Sequence, residues 1–417
     1  MRVIRHIKTI YSVILYLLSW VIKRNDHYVA FGSWLGKGYL DNSRYLFEYM
    51  AEHAKDYTLF WVGENQAWEQ MGVMRERCRF LKLNSFRDAL TLLKCKYFFF
   101  SQDACFDISA MNVFRGATLC YLHHGMPLKK WAEDGLNQSY AERKRAFVKQ
   151  YGRFRYCLNR LEKRINGATV PYDYFVTSSP LHDATNLTAM KYRGCCAERN
   201  IHSGTPRNDM LVRYSPEQAE RFKRTYAEKI GFPPDARVVL YLPTYRRVSG
   251  HVFSFSLPGE EQRGKLEAVL EKHNLILLEK SHFAEKIEFS GENSRRIKYV
   301  GKLGVNVQEM LMFADCLISD YSGAIMDYLL LDRPVIHFAY DYEYYRDVDS
   351  GLYYDISDFA SGPVVRSFED LLAAMDAMEQ NATEFRERRQ EVKKRFMTYE
   401  KGTASETIFK TVILSQS

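Results

Sequence analysis

Ile318-Ser319-Asp320-Tyr321-Ser322-Gly323-Ala324-Ile325-Met326-Asp327-Tyr328 reads as the end of a strand, a small polar turn and the start of a helix. The apolar run Cys316–Ser319 predicts the strand, and the serine and glycine before a second apolar stretch predict the helix start. In an open α/β sheet, ligands bind beyond the carboxyl ends of the strands, so the turn around Ser322 and Gly323 lies where a ligand is expected. Free backbone amides and the positive end of a helix dipole at that place suit a diphosphate. An ordinary helix N-cap would also put Ser322 there. Asp327, one turn further on, is placed to reach a hydroxyl of the bound ligand.

Working outward, strand-like apolar runs alternate with helical stretches. Tyr28–Phe31, Leu59–Val62, Tyr97–Ser101, Thr118–Leu122 and Tyr174–Thr177 form one series. Val238–Leu242, Leu275–Leu278, Cys316–Ser319 and Val335–Phe338 form a second, with helices such as Val305–Phe313 between them. Strands separated by tens of residues imply parallel pairing with helical crossovers. The chain has 417 residues, too many for one compact core, and two doubly wound α/β domains facing a cleft are expected. The expected division is a helix at 1–26, an N-terminal Rossmann-like domain at 27–205 on the acceptor side, a C-terminal Rossmann-like domain at 206–390 for the donor, and a C-terminal helix at 391–417.

Four other strand ends carry chemistry. Tyr121–Lys130 (YLHHGMPLKK) runs from a strand into histidine, glycine and a basic pair. His124 is suited to act as a general base near neutral pH, and Gly125 lets a substrate approach the backbone; the alternative is a structural capping histidine. Gly204–Asp209 (GTPRND) is a tight turn whose Arg207 has the fork geometry that holds phosphate, or else a plain interdomain turn. Tyr241–Arg247 (YLPTYRR) delivers Pro243, Thr244 and Arg246 to the cleft. Leu275–His282 (LILLEKSH) ends in Lys280, a partner for phosphates, and in His282, which would stabilise or protonate a departing phosphate unless it is simply an exposed histidine.

The formal net charge of +8 favours anionic surfaces without choosing among nucleic acid, acidic lipid and a polyanionic substrate. The eight cysteines form no CxxC pair and no zinc-ligand spacing, so they read as reduced and the chain as cytoplasmic. Thr9–Ile22 carries no charge, is flanked by Arg2, Arg5, Lys8, Lys23 and Arg24, and is too short to span a bilayer. No small-residue cleavage site follows it. Ile4, Ile7, Tyr11, Leu15, Leu18 and Ile22 recur at helical spacing, predicting an amphipathic helix that lies on a membrane surface or, alternatively, packs on the protein itself.

Taken together these segments resemble the CDP-glycerol glycerophosphotransferase family of teichoic acid primases, polymerases and related capsule enzymes. The resemblance rests on Phe31-Gly32-Ser33 with Asp41-Asn42-Ser43, the HG-x-PLK segment from His124 to Lys129, GxPRND from Gly204 to Asp209, and YxPTxR from Tyr241 to Arg246. It continues through Ser319–Ser322, Asp327, Asp332-Arg333-Pro334, Tyr340-Asp341, Tyr345-Arg346-Asp347 and Gly362-Pro363. It implies a GT-B-like architecture, a metal-independent transfer without cofactor, and peripheral attachment to the cytoplasmic face of a bacterial membrane. It marks His124 and His282 as catalytic, and Gly125, Met126, Pro127, Leu128, Arg207, Pro243, Thr244, Arg246, Lys280, Ser322, Gly323 and Asp327 as donor-binding. Three positions depart from the family pattern. Met126 stands where Thr is usual, Gly323 where a second Ser is common, and Lys280-Ser281-His282-Phe283 replaces an Arg-x-His-Pro type of segment.

The reaction so implied moves glycerol phosphate or ribitol phosphate from a CDP-alditol to a hydroxyl of a lipid-linked or capsular polymer, with no nucleic acid involved. His124 takes the acceptor proton and CMP leaves. The pair Asp347 and Asp349 imitates a metal-binding DxD, but it lies in a tyrosine-rich loop with no third ligand beside it. Two other readings remain: a GT-B glycosyltransferase using a nucleotide sugar, since fold does not decide chemistry, and a basic membrane scaffold, which would leave the histidine segments without a purpose. The lack of a long extra module favours few additions or a short acceptor.

Overall fold

The computed structural model describes residues 2–135, 140–246, 253–255, 258–280, 294–301 and 303–416. Its frame is two parallel sheets. The first has seven strands: β1 (Asn25–Gly32), β2 (Thr58–Gly63), β3 (Arg79–Lys82), β4 (Cys95–Phe100), β5 (Thr118–Tyr121), β6 (Tyr174–Val176) and β7 (Asn200–Ile201), in the order β3-β2-β1-β4-β5-β6-β7. The second has six strands: β8 (Arg237–Leu242), β9 (Leu275–Glu279), β10 (Ile297–Tyr299), β11 (Cys316–Ser319), β12 (Val335–Phe338) and β13 (Val364–Val365), in the order β10-β9-β8-β11-β12-β13. In each sheet the winding reverses beside the first strand, between β1 and β4 and between β8 and β11, which opens a crevice at their carboxyl ends.

Apolar residues on both faces of the strands explain why both sheets are covered. Along β1, Val29 and Phe31 join one core cluster while Ala30 joins the other. Along β8, Val239 and Tyr241 face one side, and Val238, Leu240 and Leu242 the other. The four strands without a counterpart in the sequence reading, β3, β7, β10 and β13, are the edge strands of the two sheets and are only partly buried, so they lack the continuous apolar run of the inner strands.

Each half lends a segment to the other. Met126 and Leu128, from the loop after β5, are buried in the core of the second sheet. Tyr353 N–H donates to the Leu128 carbonyl at 2.9 Å, and Lys130 N–H to the Gly351 carbonyl at 2.9 Å. In the opposite direction, Val392 and Phe396 of the helix Arg386–Phe396 pack in the second core, whereas Ile408, Phe409 and Val412 of the helix Ala404–Val412 pack in the first. Burying Met126 and Leu128 contributes about 1.5–3 kcal/mol each, so the halves are joined by packing as well as by chain.

The N-terminal helix α1 spans Arg2–Leu18. The side the spacing predicts for a membrane is the side that packs on the protein: Leu15 is fully buried, and Leu18 and Ile22 press on the first core. Tyr11 stacks on Phe86 at 4.6 Å. The second half of the helix and the turn after it carry no charge, and Ile10, Ile14 and Leu17, with Trp20 and Val21 just past the helix end, are left exposed. Three-to-four spacing selected the more regular of two apolar stripes.

Gly32 closes β1 with no room for a side chain, since a β-carbon there would lie 2.1 Å from the Asp107 carbonyl oxygen. Gly264, inside the helix Glu260–Lys272, faces open space. Gly32→Ala should therefore destabilise by about 1–3 kcal/mol, while Gly264→Ala should stabilise by about 0.5–1 kcal/mol. Thermal melts of the two variants should shift in opposite directions, and equal shifts would refute the packing described for Gly32.

Candidate active site

The crevice of the second sheet is organised by Asp320, the first residue after β11, whose carboxylate is fully buried. Its Oδ1 accepts from the Thr244 N–H (2.9 Å), the Thr244 hydroxyl (2.5 Å) and the Tyr321 N–H (2.7 Å). Its Oδ2 accepts from Arg246 Nη2 at 2.7 Å. Arg246 also pairs with both oxygens of Asp341, at 2.8 and 2.9 Å, donates to the Thr244 carbonyl at 2.6 Å, and has its guanidinium carbon 4.5 Å from the centre of the Tyr345 ring. Thr244 and Arg246, read from the sequence as donor contacts, thus have their polar groups engaged inside the fold. A strand end carrying an arginine does not reveal that buried carboxylates will claim it.

In the first sheet the crevice is shaped by Asp41, Asn42, Ser43 and Asp107. Asp107, fully buried, accepts from the N–H groups of Leu35 (2.8 Å), Ser101 (3.1 Å) and Gln102 (2.7 Å) and so ties the loops after β1 and β4 together. Burial pushes its carboxyl up to about 7, against those three amides. Ser43 donates to the Gly32 carbonyl at 2.7 Å. Asn42 Nδ2 donates to the carbonyls of Leu122 (3.0 Å) and His123 (2.9 Å), which places His124.

Arg207 joins the two crevices. Its Nη1 donates to Asp41 Oδ1 at 2.9 Å and its Nη2 to Asp327 Oδ2 at 2.6 Å, one carboxylate from each half. Asn42 Oδ1 accepts from the Arg207 N–H at 3.1 Å. Asp327 is itself buried and accepts from Asn208 Nδ2 (2.9 Å) and Gln308 Nε2 (3.1 Å). Its carboxylate is spent on these partners, so the hydroxyl contact expected from the sequence is replaced by an ion pair. Gly125, at φ 115°, is where Arg207 packs, because a β-carbon there would lie 2.2 Å from Nη2.

His124 is half-buried, with Nδ1 turned inward and without a hydrogen-bond partner. Its ring stacks on His123 at 4.6 Å with the planes 10° apart. Burial lowers its imidazole to about 4, with Asp41 opposing and Lys129 and Arg207 adding to the fall. It is therefore neutral at physiological pH. In the other half, Ser322 and Gly323 are partly exposed; Ser322 Oγ accepts from the Ala324 N–H at 3.2 Å, and a β-carbon at Gly323 would lie 2.9 Å from the Met126 carbonyl oxygen. The helix they open is short, Ala324–Tyr328 followed by a tighter turn to Leu331. Lys280, after β9, is partly exposed; burial lowers its pKa, and no carboxylate pairs with it among the described residues. Pro127 and Pro243 are buried and shape these loops. His282 lies outside the described residues. Asp347 is paired with Arg346 at 2.8 Å, while Asp349 is buried.

The structure thus brings His124, Arg207, Ser322 and Gly323 together at the join of the halves and withdraws Thr244, Arg246 and Asp327 into supporting roles. Asp41, Asn42, Asn208, Gln308, Asp320, Asp341 and Glu400 complete this arrangement. Asp41, Asn42, Asn208, Asp320 and Asp341 lie inside recurring motifs, so a search for counter-charges within them would have found them. Glu400 carries no local signal.

Four histidines are held neutral by burial: His123 well below its ordinary range, His124 and His337 at about 4, and His182 at about 3. As pH falls below about 6.5 the unfolded chain binds protons that the folded chain refuses, and stability is lost. Asp107 at about 7 and Glu400 at about 8 act oppositely, since the folded chain keeps their protons and loses that stability as pH rises through those values. The melting temperature should accordingly pass through a maximum at about pH 6.5. A melting temperature that climbs steadily from pH 5 to pH 9 would contradict these assignments.

Residues 14–414 match the family model described as CDP-Glycerol:Poly(glycerophosphate) glycerophosphotransferase. A teichoic acid poly(glycerol phosphate) polymerase of Bacillus spizizenii is 25% identical over 97% of this chain and 96% of its own length. A teichoic acid glycerol-phosphate transferase of Staphylococcus aureus is 25% identical over 93% of each. Among solved structures, the wall teichoic acid polymerase TagF superposes with a TM-score of 0.74 at 21% identity, over 98% of this chain and 94% of that one, which places the two parallel sheets in the same GT-B-like fold. The chain belongs to the CDP-glycerol:poly(glycerophosphate) glycerophosphotransferase family.

Proposed function

We propose that this protein transfers glycerol phosphate from CDP-glycerol to a hydroxyl of a teichoic-acid-like polymer and releases CMP. The observation that supports the reading is the loop carrying His124: the imidazole is part-buried and held neutral, and two residues on the Met126 carbonyl lies against Gly323 of the other half. The acceptor oxygen attacks the phosphorus that bears glycerol, and its proton passes to the His124 imidazole. The bond between that phosphorus and the oxygen bridging to CMP breaks, and CMP departs with the electron pair. A histidine with so low a pKa is a weak base, but it is unprotonated when the donor arrives. The negative charge of a bound diphosphate raises its affinity for the proton.

Lys280 and the amides of the Ser322–Gly323 turn meet the diphosphate, and the resemblance assigns His282 to the leaving group, so that positioning and fixed charge do the catalytic work without a metal. The two full-length relatives are both named for glycerol phosphate, which favours that donor over CDP-ribitol. On this reading the protein works as a peripheral enzyme on the cytoplasmic face of the membrane. No helix among the described residues is long and apolar enough to cross a bilayer. The exposed side of α1 and the turn after it carries Leu17, Trp20 and Val21, and the adjoining helix Tyr140–Ile165 exposes Phe154 and Leu161 among many basic residues. Arg115 lies 3.5 Å over the Trp20 ring, a cation at the edge of an apolar band.

Incubation with CDP-glycerol, CDP-ribitol and nucleotide sugars, with and without EDTA, tests the chemistry. CMP should appear from CDP-glycerol and be unaffected by EDTA, and His124→Ala should lower its release by about 10²–10⁴-fold. Turnover of a nucleotide sugar alone, or full activity of His124→Ala, would overturn the reading.

Flotation with phosphatidylglycerol vesicles tests the membrane contact. A variant carrying Leu17→Asp and Trp20→Asp should lose vesicle binding while still releasing CMP from soluble donor. Undiminished flotation would remove α1 from the contact.

A further inference from the structure

After the helix Arg386–Phe396 the chain turns back toward the first sheet and runs beside the GTPRND turn. Tyr399 anchors it: its N–H donates to the Ser178 carbonyl at 2.8 Å, its hydroxyl to Asp183 Oδ2 at 3.1 Å, and its ring stacks on His202 at 4.6 Å. The next side chain, Glu400, points inward and is 9% exposed. Its Oε1 accepts from the Thr205 N–H (3.0 Å), the Thr205 hydroxyl (3.0 Å) and Asn208 Nδ2 (3.2 Å). Gly204, at φ 75°, lets it approach, since a β-carbon there would lie 2.5 Å from Oε2.

The same Asn208 amide donates to Asp327, and Asp327 holds Arg207 against Gly125, the residue after His124. We propose that Glu400 is a positioning residue for the reaction, setting the place of the Arg207 guanidinium beside His124 through Asn208 and Asp327. This rests on the reading of His124 given under Proposed function.

The buried network holds three acids, Asp41, Asp327 and Glu400, and one base, Arg207. Glu400 makes no direct ion pair with that base, so it is the acid that carries a proton. Burial raises it to about 8, and the Asp327 carboxylate adds to the rise. The charged or titratable groups around it are Asp327 and Arg207 in the network, Asp183, His182 and His202 on the side of residues 178–202, and Asp209 beyond the turn, which accepts from the Ala404 and Ser405 N–H groups. Once Glu400 ionises, a second negative charge stands beside the Asp327 carboxylate across the Asn208 amide that serves both, and the repulsion shifts Asp327 out of register with Arg207.

The test is CMP release by the full chain from pH 6 to 9.5 for wild type, Glu400→Gln and Glu400→Ala, with thermal melts at each pH. Gln copies the neutral acid and cannot ionise. Wild-type kcat should fall above about pH 8, by tenfold per pH unit for a single ionisation, while Glu400→Gln keeps at pH 9 a much larger share of its own pH 7 rate. Glu400→Ala should lower kcat by on the order of a hundredfold with a smaller change in KM. Parallel pH profiles for wild type and Glu400→Gln, or wild-type kcat in Glu400→Ala, would overturn the proposal. A role in stability alone would lower the melting temperature and leave the shape of the profile unchanged.

If Glu400→Ala fails to fold, the Gln profile decides. If wild type turns over another donor instead, the donor reading fails and the same comparison is made with that donor. If it turns over none, the melts decide: wild type should lose stability from pH 7 to 9 where Glu400→Gln does not, and identical slopes would overturn the assignment.

Discussion

Arg207 sits between one carboxylate from each half of the molecule, and the arrangement of the site follows from that. A guanidinium with little exposure must have its charge met, and removing one partner of a buried ion pair costs about 3–5 kcal/mol. Asp41 and Asp327 are therefore held where Arg207 needs them, 2.9 and 2.6 Å away. Since Asp41 stands at the start of the helix Asp41–His53 and Asp327 in the short helix after β11, the pair fixes the carboxyl ends of the two sheets against each other. Asn42, the neighbour of Asp41, holds the carbonyls before His124, so the same interaction that joins the halves also places the candidate base.

The fold was legible because its inner strands are apolar runs covered on both faces, and a run of buried residues is visible without knowing its partners. Thr118–Leu122 and Val335–Phe338 needed nothing but their own composition. The site was legible only in part, for a different reason. Motifs show which side chains gather at the strand ends, but not which will face solvent. Arg246 and Asp327 have the chemistry of ligand contacts, yet within the fold their nearest opposite charges are protein groups, Asp320 and Asp341 for one and Arg207 for the other. Glu400 was beyond reach of any local reading: it lies 192 residues from Asn208 in the chain, and only the return of the C-terminal segment to the first sheet brings them together.

The N-terminal helix shows the same limit from the apolar side. Periodicity detects a stripe, and in α1 the regular stripe is the one that the first core takes up. An exposed apolar face remains because nearly every position of the segment is apolar. From Thr9 onward the segment has apolar residues on two faces, and the protein covers one of them.

Two of the positions that depart from the family pattern meet in space. The Met126 carbonyl lies against Gly323, so close that a β-carbon at residue 323 would come within 2.9 Å of it. Neither atom is the end of a flexible side chain: one is backbone oxygen, and the other would be attached directly to backbone. Met126 cannot withdraw easily, since its side chain is buried in the second core and the Ser179 hydroxyl lies 3.7 Å from its sulfur. Glycine at 323 is thus the residue that admits the loop at this depth. A serine there would push the His124–Lys129 segment away from the turn that faces it. The absence of a side chain at 323 thus sets how near the loop that carries His124 comes to the turn Ser322–Gly323, while the Met126 side chain anchors that loop in the second core.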